Sequence, residues 1–178
     1  MSYWFDLEQV NTFVAGTVGA PGKRVFYIQA KSGVESITIK CEKQQMAVLA
    51  DYLEKLLADV PPASAQRPEP PELRQPVVAD WTLGSLGLGY ERDTDVVFIV
   101  AEELVVEEEQ DEDDYSSIYV DNEVANISEG QKARFRLTRD QAASFISQAR
   151  SLVSSGRPTC FLCMAPMDPD GHACPRLN

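Results

Sequence analysis

Two segments of the chain carry the apolar periodicity of an amphipathic helix, and each follows a strand-like alternation. Residues 36–41 and 133–137 alternate apolar and polar side chains, which is typical of half-buried strands. Thr138 and Gln141 have the spacing of a capping box at the start of the second helix. The pattern therefore predicts, at two places, a strand followed directly by a helix. The apolar stripes are Met46, Leu49, Leu53, Leu56 and Leu57 in the first helix, and Ala142, Phe145, Ile146, Ala149, Leu152 and Val153 in the second.

The segments before these elements resemble each other, which indicates an internal duplication. Residues 13–19 and 81–87 both read as an aromatic side chain, two further residues, and then G-[ST]-[VL]-G. A strand-like run follows each, at 24–30 and 95–101. We therefore predict an α+β fold in which two pseudo-repeated antiparallel β-meander-plus-helix units form one domain. The alternative, that any two ββα segments share such patterns, stays open.

Proline and charge divide the chain further. Five of the eleven prolines fall between residues 60 and 71, which predicts an extended linker. The predicted organisation is a first repeat at 1–59, a Pro-rich linker at 60–75, a second repeat at 76–155 and a tail at 156–178. Within the second repeat, residues 102–114 form an acidic insertion with nine acids and no base. Such a run is expected to be solvated, although cation capture or a basic partner are alternatives.

The charge restricts the classes of partner. The 178 residues carry a formal net charge of −12, which disfavours general nucleic-acid binding and anionic membrane surfaces. Without the nine acids of the insertion, sixteen bases face nineteen acids, a net charge of −3. A net charge of −3 disfavours nucleic-acid binding less strongly than the total of −12 does.

The tail contains the clearest chemical motif. Cys160, Cys163, His172 and Cys174 form a C-x2-C-x8-H-x-C pattern that includes the only histidine of the chain. Three cysteines and one histidine are an established set of zinc ligands, and four protein ligands leave no coordination position for a catalytic water. A turn at 168–171 would return His172 and Cys174 to the first pair. We predict a structural Zn²⁺ site. A Cys160–Cys163 redox pair is disfavoured because Pro166 opposes the helix that should follow it.

The compartment follows from the same cysteines. The N-terminal sequence lacks a secretory pattern, and the longest apolar run, 96–101, is too short to span a membrane. A cytoplasmic location is expected, where thiols stay reduced and bind metal rather than form disulfides. Cys41 ends an alternating strand and is expected to be a small buried side chain.

Two glycine-containing segments are weak candidates for anion sites. The glycines at 84–89 precede a strand, whereas a phosphate-binding loop should open a helix. They are expected to serve turns and close packing. The polar gap at 21–24 is expected to be a hairpin turn. No catalytic residue is predicted.

Two motifs resemble a known family. The stretch G-T-V-G-x-P-G-x-R-x-F-Y-x-Q-A at 16–30 and the ending D-P-x-G-H-x-C-P-R-x-N at 168–178 are similar to an uncharacterised bacterial "repeat protein" family, a domain of unknown function. The resemblance spans nearly the whole chain. It implies protein partners among the products of neighbouring genes, which are phosphatidylinositol-kinase-like and histidine-phosphatase-like. The family pattern has Gly after the second cysteine, where this chain has Met164, so the local turn is left open.

Three functions follow, in order of preference. The first is a non-enzymatic interaction or scaffold module with a structural Cys₃His zinc site. The second is a small-ligand-binding protein or enzyme with a site between the two repeats, lined by Lys23, Arg24, Arg134 and Arg136. The third is a single-stranded nucleic-acid binder with a basic, aromatic sheet face that includes Phe26, Tyr27 and Phe135. The oligomeric state is not predicted.

Overall fold

Seven strands form one sheet, and two helices pack on one of its faces. The computed structural model describes residues 4–60, 71–105, 130–167 and 171–177. This architecture confirms the predicted α+β class. The elements are β1 (Trp4–Leu7), β2 (Thr12–Val18), β3 (Val25–Ser32), β4 (Glu35–Cys41), α1 (Lys43–Ala58), β5 (Trp81–Glu91), β6 (Val96–Glu103), β7 (Lys132–Leu137) and α2 (Arg139–Ser154).

The strands follow the order β1-β7-β6-β5-β4-β3-β2. The first unit (β2, β3, β4 and α1) and the second unit (β5, β6, β7 and α2) each contain three antiparallel strands and then a helix. A short parallel ladder, with Ile39 beside Trp81 and Lys40 beside Thr82, joins the units into one sheet. Strand β1, which the sequence pattern did not indicate, pairs in parallel with β7.

The ladders change the correspondence between the two units. In the two similar motifs at 13–19 and 81–87, Gly16 matches Gly84. In the sheet, Gly16 lies opposite Tyr27 and Gly89 lies opposite Phe98, and these two aromatic residues hold matching positions in their strands. Gly16 therefore corresponds to Gly89. The segment 84–89 lies inside strand β5 rather than in a turn. Descent of the two units from one ancestral unit stays a prediction.

The core lies between the helices and one face of the sheet, which we call the inner face. Strands β3, β6 and β7 alternate buried and half-buried side chains, as a sheet covered on one face should. The Phe13 ring of β2 lies 5.4 Å from that of Phe135 in β7 and 4.8 Å from that of Phe145 in α2. Strand β2 is one edge of the sheet and β7 lies beside the other. The sheet therefore curls to bring its two ends together.

The helices bury the stripes that the sequence pattern predicted. Met46, Leu49 and Leu53 of α1 are buried, with Leu56 and Leu57 partly buried against the same core. In α2, the N–H of Gln141 donates to the Thr138 hydroxyl at 3.2 Å, and the N–H of Thr138 donates to Gln141 Oε1 at 2.9 Å. The predicted capping box is confirmed. No helix in the described ranges is long and apolar enough to cross a membrane.

The predicted linker and insertion differ from the structure at their ends. Residues 71–75 already contact the sheet, since Arg74 N–H donates to the side chain of Gln29 at 2.8 Å. Glu102 and Glu103 belong to β6 and not to an insertion. The Glu102 carboxylate forms an ion pair with Lys132 of the adjacent strand β7 at 2.9 Å, which balances its charge within the sheet. Residues 61–70 of the linker and 106–114 of the insertion lie outside the described residues.

Candidate metal centre

The tail starts from an anchored position at the end of α2. Arg24, in the turn between β2 and β3, donates its Nη1 to the Ser155 carbonyl at 2.9 Å and to the Ser155 hydroxyl at 2.8 Å. A cation is favourable at a helix C-terminus, where the last carbonyls have no partner inside the helix. The predicted hairpin turn at 21–24 is confirmed, with Gly19 and Gly22 at φ of 106° and 92°. The first unit therefore holds the start of the tail.

A tight turn presents the first two cysteines. Thr159 and Pro166 form an antiparallel bridge, the Cys160 N–H donates to the Ala165 carbonyl at 2.8 Å, and the Met164 N–H donates to the Cys160 carbonyl at 2.8 Å. Met164 adopts a φ of 61°, in the left-handed region that glycine favours. The chain therefore makes with methionine the backbone conformation that a glycine after the second cysteine would supply. This settles the turn that the sequence left open.

The four predicted ligand residues meet in space. Their ligand atoms, the Sγ of Cys160, Cys163 and Cys174 and a ring nitrogen of His172, all lie within 4.8 Å of one another. Cys160 Sγ is 3.8 Å from Cys174 Sγ, and Cys163 Sγ is 3.2 Å from His172 Nε2. Cys160 and Cys174 are buried, while the other two are half-buried. The group can hold one metal ion. Residues 168–170 of the turn predicted at 168–171 lie outside the described residues, and Gly171 has a φ of 91°.

Backbone N–H groups of the turn favour ionisation of the Cys160 thiol. The N–H groups of Cys163 and Leu162 bond to the Cys160 sulfur and lower the pKa of that thiol. At Cys174, the N–H of Arg176 lowers the pKa, but burial and the neighbouring cysteine sulfurs outweigh it, so this pKa is raised. Thiolates, not thiols, bind metal. A cation among the sulfurs would relieve the unfavourable crowding of negative charge.

The four basic residues predicted to line a ligand site do not form one. Arg24 is bound to Ser155, and Arg134 pairs with Asp6 of β1. We call the face of the sheet opposite the helices the outer face. Arg134 and Arg136 share a pocket on this face, and the pocket does not include Lys23 or Arg24. Between the two units lies instead a groove of about 440 Å³, and none of the described residues that line it is basic. The lining residues are Glu42, Gln44, Gln45, Val48, Gly84 and Leu86.

The predicted aromatic, basic sheet face is also incorrect in its membership. Phe26 and Phe135 are 6% and 1% exposed and belong to the core. Tyr27 does lie on the outer face, opposite Lys40 in the neighbouring strand. Side chains alternate between the two faces along a strand, so Phe135 points to the same face as Ala133 and Leu137. That face is the buried inner face.

The tail exposes large apolar side chains that the sequence analysis did not single out. Phe161 is 85% exposed, Met164 70% and Leu177 73%. Arg176 Nη1 donates to the Leu162 carbonyl at 2.9 Å, which ties the end of the tail to the cysteine turn. Apolar residues inside such a short turn have no core to enter. The sequence could have indicated this exposure, because all three residues lie between or after the candidate ligands in a short segment.

Comparison with known proteins identifies the family but not an activity. The profile of a family described as "Protein of unknown function (DUF3090)" matches residues 5–174, which include the sheet, both helices and all four candidate metal ligands. Searches of the curated proteins and of the solved structures found no significant match. The resemblance inferred from the two sequence motifs is thus confirmed. The chain belongs to the DUF3090 family of proteins of unknown function.

Proposed function

We propose that this protein is a non-enzymatic interaction or scaffold module whose tail is held together by a structural zinc ion. The observation that carries the proposal is the meeting of Cys160, Cys163, His172 and Cys174 within 4.8 Å. Four protein ligands complete a tetrahedral shell and leave no position for a water or a substrate. The ion would therefore act on structure rather than on chemistry.

The chemistry of the donor set favours zinc. Three thiolates and one imidazole suit Zn²⁺, whereas carboxylate and carbonyl oxygens suit Mg²⁺ and Ca²⁺. The tail is too short to build its own core. The hydrophobic core of the sheet and helices does not include Cys160, Cys163 or Cys174. Metal binding can supply the folding free energy that such a segment lacks. A cytoplasmic location, where thiols stay reduced, would be compatible with this ligand set.

The exposed apolar side chains of the tail support a role in protein binding. Phe161, Met164 and Leu177 lie on a small segment that the metal would make rigid. A rigid apolar surface binds a protein with a smaller entropic cost than a disordered segment. The products of the neighbouring kinase-like and phosphatase-like genes are the partners that the family resemblance suggests.

The proposal is tested by metal content and partner capture with full-length protein. We expect one zinc ion per chain by elemental analysis, lost in Cys163→Ser and after chelation. Partners recovered from lysate are identified and then titrated in purified form. The double variant Phe161→Ser, Met164→Ser should retain zinc and lose binding.

A matched control tests exposure alone. Val78→Ser removes a side chain that is 72% exposed but lies outside the tail, and it should bind like the wild type. Freshly purified protein without zinc, or binding that survives chelation and the double variant unchanged, would overturn the proposal.

A further inference from the structure

The outer face of the sheet is covered in the first unit. Leu73 lies directly over Gly16, where an added Cβ would overlap its side chain. The Gln29 side chain pairs with the backbone of Arg74 in both directions, accepting at 2.8 Å and donating at 3.4 Å. The segment after the linker therefore serves as a cover over β2 and β3.

The second unit has no such cover among the described residues, and its outer face is recessed. The outward positions of β5 next to β6 include Gly87 and Gly89, which carry no side chain. The Phe98 ring leans over Gly89, since an added Cβ there would overlap it. The result is a pocket of about 270 Å³, near the lower end of the sizes of small-molecule sites. It is lined by Glu91, Val96, Phe98, Val100, Arg134 and Arg136.

The charged groups of this pocket are not equivalent. Asp6 accepts hydrogen bonds from Nε and Nη2 of Arg134, which fixes that guanidinium. Glu91 accepts from the Thr94 hydroxyl at 2.6 Å. Arg136 lies two residues from Arg134, hence on the same face about 7 Å away. Within the described residues, no carboxylate pairs with Arg136.

We propose that this pocket binds a small ligand with an anionic group on an apolar or aromatic body. The anion, a carboxylate or a phosphate monoester, would bind the Arg136 guanidinium, whose planar donors match both groups. The body would pack on Phe98, Val96 and Val100. The acids Asp6 and Glu91 at the border, and the limited volume, favour a small molecule over a nucleic-acid backbone.

Titrations of the full-length protein with three probes test this site. Phenyl phosphate and 4-phenylbutyrate are compared with neutral phenol by calorimetry and by NMR chemical shifts. We expect the anions to bind and phenol to bind much more weakly, with perturbed resonances on β6 and β7. The ranking of the two anions distinguishes a phosphate site from a carboxylate site.

Variants assign the binding to individual side chains. Arg136→Gln should weaken the anions about tenfold or more, because it removes a charge-assisted hydrogen bond. Arg136→Lys should retain part of the affinity, and Phe98→Leu should lower the affinity for the aromatic body. Lys40→Gln, on the outer face of the first unit, is the matched control and should bind normally.

The outcomes that would overturn the proposal are distinct. Absence of binding at millimolar anion, equal binding of phenol, or an unchanged affinity in folded Arg136→Gln would each do so. Tighter binding of oligothymidylate than of either anion, lost in Arg136→Gln, would replace the small ligand by single-stranded nucleic acid. None of these results depends on the zinc tail, so the interaction proposal is tested separately.

Discussion

Gln45 and Gln141 occupy the same position in their helices, and each binds the backbone in, or directly before, the first strand of the opposite unit. Gln45 of α1 donates its Nε2 to the carbonyls of Leu83 and Gly84 at 3.1 and 3.3 Å. Gln141 of α2 donates to the carbonyls of Val10 and Asn11 at 2.6 and 3.3 Å. At the same time, each side-chain oxygen accepts from the backbone N–H of the residue that precedes its helix. One amide therefore both caps a helix and joins the two units.

Loss of either amide should destabilise the whole domain. Gln45→Ala and Gln141→Ala each leave a helix-cap N–H and two backbone carbonyls without these partners, and we expect each to lower the free energy of unfolding by about 1–2 kcal/mol. Urea denaturation followed by circular dichroism measures it. Gln44→Ala, an exposed neighbour in α1, is the control and should change little. Two near-neutral variants would contradict the role of these contacts.

Removal of the proposed zinc ion should unfold the tail and leave the domain intact. The core cluster contains residues of the sheet and helices and none of the tail cysteines. Hydrogen exchange after chelation should become faster at the amides of Cys160, Met164 and Met167, which hydrogen-bond within the tail. The amides of β3 and β6 should keep their protection. Faster exchange throughout the sheet would show instead that the tail supports the core.

The cover over Gly16 predicts an asymmetric response to alanine. Gly16→Ala should cost about 1–3 kcal/mol of stability, because the new methyl group overlaps Leu73. Gly87→Ala should be tolerated, since its Cβ would meet Val100 at an ordinary 4.0 Å. Thermal unfolding of both variants provides the comparison. In the double variant Gly16→Ala, Leu73→Ala the loss should be smaller than the sum of the single losses, and strict additivity would argue against the contact.

Cys41 should be inert to thiol reagents in the folded protein. Burial, with a smaller contribution from Glu42, raises the pKa of this thiol from 9.0 to about 12. Labelling of chelated protein at pH 8 should modify the tail cysteines quickly and Cys41 only after unfolding. In the unfolded chain this thiol ionises near pH 9.0, whereas in the folded protein it stays neutral to about pH 12. The free energy of unfolding therefore falls as the pH rises through that window, because the unfolded state loses the proton first. Cys41→Ala should remove that part of the alkaline destabilisation, and rapid labelling of Cys41 would refute its burial.

Much of the fold and the four candidate metal ligands could be predicted from local patterns. Met46, Leu49 and Phe145 follow helical spacing, and their burial depends on an amphipathic stripe that any partner face would satisfy. The close spacing of Cys160 and Cys163 likewise holds two ligands near each other in any compact turn. These features need few contacts between distant residues, and for that reason the sequence alone indicated them.

Local sequence patterns were sufficient to predict the α+β class, the two helices with their preceding strands, and the four candidate metal ligands, because each follows from residues close together in the chain. Three further features became clear only from the folded chain: the placement of β1 beside β7, the correspondence of Gly16 with Gly89, and the separation of Arg24 from Arg134. These depend on how a curled sheet brings distant strands together. The energy that selects such pairings comes from burial shared among many residues, which no single local pattern records.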